Sequence, residues 1–289
     1  RLSEAISELE AALRLNPNDL ETNRLLAETN LQARNYDQAI QYFEQILELD
    51  PTRVEAQFRI GMAYLELDEP TYAFDAFQKV VKVEPEHARA LHAIGRMYLR
   101  SLDKASVAVD FFKQALDVQP DLLDALTDLG EAYIQVDQGD MALEQFQKAI
   151  KVQPENVELR SRYAQVLGRM ERYDAAFEEI QVAMLQAPEN IFARATMAQL
   201  TLDQGDFADA MDQYQRLTLM APDNLDFWLA AGLLQEKAGH REEAKKSFSQ
   251  VLKLDPDHPE ATEHLEALFA APEEIAPEPE PVPADESAV

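Results

Sequence analysis

Proline recurs through this chain at a fixed interval. Pro17, Pro51, Pro85, Pro120, Pro154, Pro188, Pro222 and Pro256 are spaced 34, 34, 35, 34, 34, 34 and 34 residues apart. Alanine keeps the same step at Ala5, Ala39, Ala73, Ala108, Ala142, Ala176, Ala210 and Ala244. A third register holds only small residues: Ala27, Gly61, Gly95, Gly130, Ala164, Ala198 and Gly232. A fourth is bulky: Leu9, Phe43, Phe77, Phe112, Phe146, Ile180, Tyr214 and Phe248. A length of 289 residues would otherwise suggest one or two globules. Four registers in phase instead demand a repeated supersecondary unit, stacked on copies of itself.

Within one period the apolar residues fall at i, i+3, i+4 and i+7, twice. Ala125, Leu126, Leu129, Ala132 and Tyr133 form one such set, and Ala142, Leu143, Phe146, Ala149 and Ile150 the next. Each period is therefore predicted to hold two amphipathic helices. Breakers lie between them, as in Gly139-Asp140, Gly205-Asp206 and Gly239-His240. The periodic proline ends the second helix, because it lacks an N–H and drives its predecessor out of the α region. Asn and Asp follow it, as in Pro17-Asn18-Asp19 and Pro222-Asp223-Asn224, where they can cap the next helix. The small residues are expected to let paired helices approach, and the bulky register to fill the space between neighbouring pairs.

On these residues the chain resembles the tetratricopeptide repeat (TPR) family. Leu129-Gly130, Tyr133, Ala142, Phe146, Ala149 and Pro154 stand where that family places them, and Trp228 lies where it often has Trp. The resemblance runs from residue 1 to about 270. It implies an all-α fold: a right-handed α-solenoid of stacked antiparallel helix pairs. The chain then parses into an opening helix at 1–19, which reads as the second helix of a truncated repeat. Seven full repeats follow at 20–53, 54–87, 88–122, 123–156, 157–190, 191–224 and 225–258, and a capping helix at 259–271. Residues 272–289 carry six acids and no base among several prolines, and are expected to be a disordered acidic tail. The opening helix, lacking its mate, offers a candidate surface for oligomerisation. Beginning with Arg and with half a repeat, the sequence reads as part of a longer parent.

Composition narrows the function. With 54 acidic and 26 basic residues the net charge is −28, which argues against nucleic-acid partners. Zero cysteines exclude disulfides, a thiolate nucleophile and Cys-ligated metal. The longest apolar stretch, Phe227 to Leu234, is far short of the roughly 18 residues a membrane span needs. The compartment is not fixed by sequence: the cytoplasm is the default, and the periplasm or a membrane anchor would depend on what precedes Arg1.

The charge is uneven. The third repeat is the only positive one, at +1, and its first helix carries Arg89, His92, Arg96 and Arg100 with no acid from Ala88 to Leu102. Spacings of 3, 4 and 4 put these four on one helical face. The family resemblance implies that first helices line a concave groove that receives a partner peptide. On the equivalent face the second repeat offers Phe58, Met62 and Leu65, and the fifth adds Arg169. Together these eight are the candidate peptide-binding residues, suited to an acidic peptide or a chain-terminal carboxylate. The competing expectation is that the arginines merely pair with Glu55, Glu66, Asp124 and Glu131 on adjacent helices. The third repeat also holds the one inserted residue, within Ser101–Val107, and the acidic tail is a conceivable weak competitor for the basic face.

Other constellations are weaker. The Lys/Asn clamp of chaperone-binding relatives is absent: Arg24 and Glu28, Phe58 and Met62, or Thr127 and Glu131 stand in its places. No asparagine ladder exists either, since Leu25, Arg59, Ala93, Asp128, Arg162, Thr196 and Ala230 occupy its register. The five histidines are His87, His92, His240, His258 and His264. Asp255, Asp257, His258 and His264 make the densest potential metal set, but Asp-Pro-Asp-His is also the inter-repeat turn. No phosphate loop, nucleophile elbow or zinc spacing occurs. The sequence therefore points to a non-enzymatic scaffold, without cofactor or metal, that binds a partner peptide or protein. The alternatives are a substrate-recognition or regulatory arm of a larger enzyme, or part of a membrane-anchored envelope assembly factor.

Overall fold

The computed structural model describes residues 1–100 and 104–270. Among them sixteen α-helices follow one another: α1 Leu2–Leu15, α2 Leu20–Gln32, α3 Tyr36–Leu49, α4 Val54–Glu66, α5 Pro70–Val83, α6 Ala88–Arg100, α7 Ala105–Val118, α8 Leu123–Gln135, α9 Gly139–Val152, α10 Val157–Arg169, α11 Tyr173–Gln186, α12 Ile191–Gln204, α13 Phe207–Met220, α14 Leu225–Lys237, α15 Arg241–Leu254 and α16 Pro259–Ala270. They form two compact units, Arg1–Ala187 with α1 to α11, and Pro188 onward with α12 to α16. In each unit the helices pack in antiparallel pairs, α2 on α3, α4 on α5, α6 on α7, α8 on α9 and α10 on α11 in the first, α12 on α13 and α14 on α15 in the second. The expected tail at 272–289, with the last residue of the expected cap, lies outside the described residues.

The small and bulky registers meet inside each pair. A Cβ placed on Gly61 would lie 2.6 Å from the Phe77 ring, on Gly95 2.6 Å from Phe112, on Gly130 2.8 Å from Phe146, and on Gly232 2.8 Å from Phe248. The four phenylalanines are wholly buried. The ring thus fills the hollow left by its own pair's missing side chain, in addition to the expected packing between neighbouring pairs. Phe77 shares one cluster with Phe58 and with Ala90, Ala93, Ile94 and Met97 of the next pair. Alanine replaces glycine at Ala27, Ala164 and Ala198. Of these, Ala164 and Ala198 stand opposite Ile180 and Tyr214 instead of Phe.

Six of the turns inside the pairs are of one kind. Arg34, Asp68, Asp137 and Glu171 in the first unit, and Gly205 and Gly239 in the second, take positive φ between 58° and 89°. The next amide in each case bonds a carbonyl five residues back, as Asn35 N–H to Asn30 O at 2.8 Å and Arg172 N–H to Leu167 O at 2.9 Å. That is the αL helix ending with its six-to-one bond, which satisfies carbonyls the helix leaves open. Gly139, expected as a breaker, is instead the first residue of α9, and Asp137 supplies the left-handed step. After α6 the corresponding bond spans six residues, Lys104 N–H to Tyr98 O at 2.9 Å. Residues 101–103 of that stretch lie outside the described residues.

Between pairs, the periodic proline contributes its carbonyl. The side chain six positions later donates to it at four sites: Asn23 to Pro17 at 3.4 Å, Arg160 to Pro154 at 3.3 Å, Arg194 to Pro188 at 3.0 Å, and Trp228 Nε1 to Pro222 at 2.8 Å. Trp228 is thereby a latch as well as packing. The expected caps form, Asp19 accepting from Thr22 N–H at 2.8 Å and Asn224 from Phe227 N–H at 3.2 Å. Histidine serves the same purpose twice: the Nδ1 atoms of His87 and His258 accept from Ala90 and Ala261 N–H at 3.1 and 3.2 Å.

Candidate functional site

The first unit sets α4, α6 and α8 in sequence, with α6 touching both α7 and α8. Apolar residues of α6 turn toward its neighbours, and Ala90, Leu91, Ala93, Ile94, Met97 and Leu99 are buried. Its helical spacing leaves Arg89, Arg96 and Arg100 on the other side, with about half of each side chain exposed. Between α4 and α6 lies a cavity of about 230 Å³. Phe58, Met62 and Leu65 line it from α4, Arg89, His92, Arg96 and Arg100 from α6, and Asp124 from the start of α8. Seven of the eight sequence-predicted residues therefore share one cavity. Arg169, the eighth, is exposed at the end of α10 and does not line it.

Each arginine of the cavity is held differently. The Arg89 guanidinium lies 4.5 Å from the centroid of the Phe58 ring and 3.9 Å from Glu55. Arg96 and Arg100 approach Asp128, Nε of Arg96 to Oδ2 and a terminal nitrogen of Arg100 to Oδ1, both at 3.6 Å. Arg100 also stands 3.9 Å from Glu131. At these distances the contacts are ion pairs without hydrogen bonds, so the donors of Arg96 and Arg100 remain unspent among the described residues. Arg162 on α10, by contrast, is tied to both Glu131 and Glu158.

Asp128 was not a sequence candidate, yet it is the hub. Only 7% exposed, it faces His92, itself 8% exposed, with Nε2 to Oδ2 at 2.8 Å. The His92 ring also leans on Phe112, centroids 5.6 Å apart. The expected pairing of the arginines is thus realised with Glu55 and Glu131, whereas Glu66 accepts from Tyr36 Oη at 3.1 Å. Asp124 contributes to the cavity wall. A signal for Asp128 existed in the sequence: it is the one acid in the register of Leu25, Arg59, Ala93, Arg162, Thr196 and Ala230.

Asp255, His258 and His264 of the potential metal set are otherwise engaged. His258 caps α16, His264 Nδ1 meets Glu236 Oε2 at 2.6 Å, and Asp255 accepts from Asp257 N–H at 3.3 Å. Among the described residues no three His, Asp or Glu side chains converge on one point, and no helix is long and apolar enough to cross a membrane.

Helix pairs of near-constant length, six of them closed by one turn type, that present a lined cavity on their first helices define an all-α repeat protein of the interaction class. The chain belongs to the tetratricopeptide repeat family. Models described as tetratricopeptide repeat match residues 1–54 and 127–190, 30–96 and 201–268, and 88–122. Solved structures agree on the fold. A tetratricopeptide repeat protein from Parabacteroides merdae is similar at 15% identity and TM-score 0.65, over 86% of this chain and 98% of that one. PilF of Pseudomonas aeruginosa is similar at 19% identity and TM-score 0.62, over 75% and 97%. YrrB, described as a TPR protein with an unusual peptide-binding site, is similar at 22% and 0.50, over 67% and 99%. No curated protein matches the chain.

Proposed function

We propose that this chain is a non-catalytic scaffold that captures a partner peptide on the α4/α6 face of its first unit. The peptide contributes an anionic group to Arg96 and Arg100 and an apolar side chain to Phe58, Met62 and Leu65. The observation that carries this reading is the unspent hydrogen-bonding capacity of two half-exposed guanidiniums beside an apolar wall. Guanidinium presents paired donors that match a carboxylate, and such bonds are the stronger kind. The description of YrrB as peptide-binding supports the same class of ligand. Arg169 stays outside this reading, because it does not line the cavity.

Selection of a displayed random-peptide library on the full chain tests it. Enriched peptides should place an acidic residue or a free chain terminus next to an apolar one. Arg96→Glu with Arg100→Glu should erase the enrichment while the far-ultraviolet circular dichroism stays helical. Equal enrichment on the variant would dismiss the cavity as the binding site.

A further inference from the structure

The cavity is not a basic pocket once its acids are counted. Arg89, Arg96 and Arg100 are matched by Glu55, Asp124, Asp128 and Glu131, each either in the wall or within 4 Å of a guanidinium. Asp128 does not line this cavity; with Arg96, Arg100 and Glu131 it lines the adjoining one, toward α10. His92 meets its Oδ2 at 2.8 Å, and its two oxygens each face one arginine at 3.6 Å, Oδ2 toward Arg96 and Oδ1 toward Arg100. An anion arriving there gains hydrogen bonds from the outer donors of both arginines, but little net positive field. A carboxylate brings one charge; a phosphate ester brings about 1.5 to 2 at neutral pH and would set the excess against Asp128. Resting on the proposed peptide capture, we infer that Asp128 is the specificity-determining residue of this site: it holds Arg96 and Arg100, one on each oxygen, where they receive one carboxylate beside an apolar residue, and it disfavours phosphorylated ligands. It acts through the two arginines, as a positioning residue. The shared chemistry is a single carboxylate, whether from a Glu or Asp side chain or from a chain end.

Three short fluorescent probes test this: an amidated Leu-Glu peptide, the same peptide with phosphoserine for Glu, and a peptide ending in a free Leu carboxylate. On the wild-type chain at least one of the two carboxylate probes should bind more tightly than the phosphoseryl one, and which of them binds identifies the source. Asp128→Asn keeps the size of the side chain and removes its charge. It should raise the affinity ratio of phosphoseryl to carboxylate probe by roughly tenfold, somewhat more than one neighbouring charge about 4 Å away contributes in bulk water. Asp128→Glu should restore the wild-type preference, which a simple loss of packing would not allow. An unchanged ratio in Asp128→Asn, with both probes still bound, or a wild-type preference for phosphoserine, would overturn the role of Asp128 and leave peptide capture standing. Failure of all three probes to bind the wild type would overturn both.

Discussion

At the scale of single residues, the repeat is held by a match of absence and bulk. Gly130 leaves a hollow that the wholly buried Phe146 ring fills. A methyl group there would sit 2.8 Å from the ring, inside van der Waals contact, and the ring cannot retreat from a packed core. Gly130→Ala is therefore expected to destabilise the first unit by about 1–3 kcal/mol. Pairing it with Phe146→Leu should recover part of the loss, because the two changes share one space. Urea unfolding of the single and double variants measures this; strictly additive effects would refute the packing account. The turns hold a residue that is present at a cost. Glu171 takes φ of 58° without the short polar side chain that eases Asp68 and Asp137 into the same conformation. Glu171→Gly should stabilise by about 0.5–1 kcal/mol, read as a higher melting temperature. A lower one would mean that the Glu171 side chain makes a contribution beyond its backbone.

At the scale of the element, most of the fold was legible. The periodic prolines, the i, i+3, i+4, i+7 sets and the Asp and Asn caps each follow from backbone chemistry that local sequence controls. What was illegible depended on partners distant in sequence. The bulky register could be seen to need a home, but only tertiary contact shows that Phe77 docks on Gly61 of its own pair. Gly139 reads as a breaker, yet the turn chose Asp137 and left Gly139 to open α9. Asp128 carries the same lesson at the site: a count of charge by repeat makes it one acid among many, whereas in space it is buried between His92, Arg96 and Arg100. The link between α3 and α4 supplies an element-scale test. The Thr52 hydroxyl, then Arg53 and the Thr52 N–H, hold the Asp50 carboxyl down to about 2 from its ordinary 3.8. A lowered folded-state value stabilises the native turn above pH 3.8, and that contribution fades as pH falls through about 2. Carbon-detected NMR titration should give a midpoint near 2 for Asp50, moving up toward 3.8 in Thr52→Ala. An ordinary midpoint in the wild type would show that this turn does not persist in solution.

At the scale of the whole molecule, the net charge of −28 is a poor guide to what the chain binds. Most of it lies outside the first helices of the pairs, where charge governs solubility and encounter rather than recognition. The proposed recognition face lies on the first unit, where Arg89, Arg96, Arg100 and Asp124 stand beside Phe58, Met62 and Leu65. The family sets a frame in which stacked helix pairs present a surface, and the side chains on that surface decide what it holds. The most direct test of the account is photocrosslinking in the cell from a benzoylphenylalanine placed at Met62, with Lys82 on α5 as the control position. The account predicts that crosslinks from Met62 converge on partner segments with a carboxylate next to an apolar residue, and disappear in Arg96→Glu with Arg100→Glu. Crosslinks from Met62 that survive those substitutions unchanged, or that match those from Lys82, would contradict it.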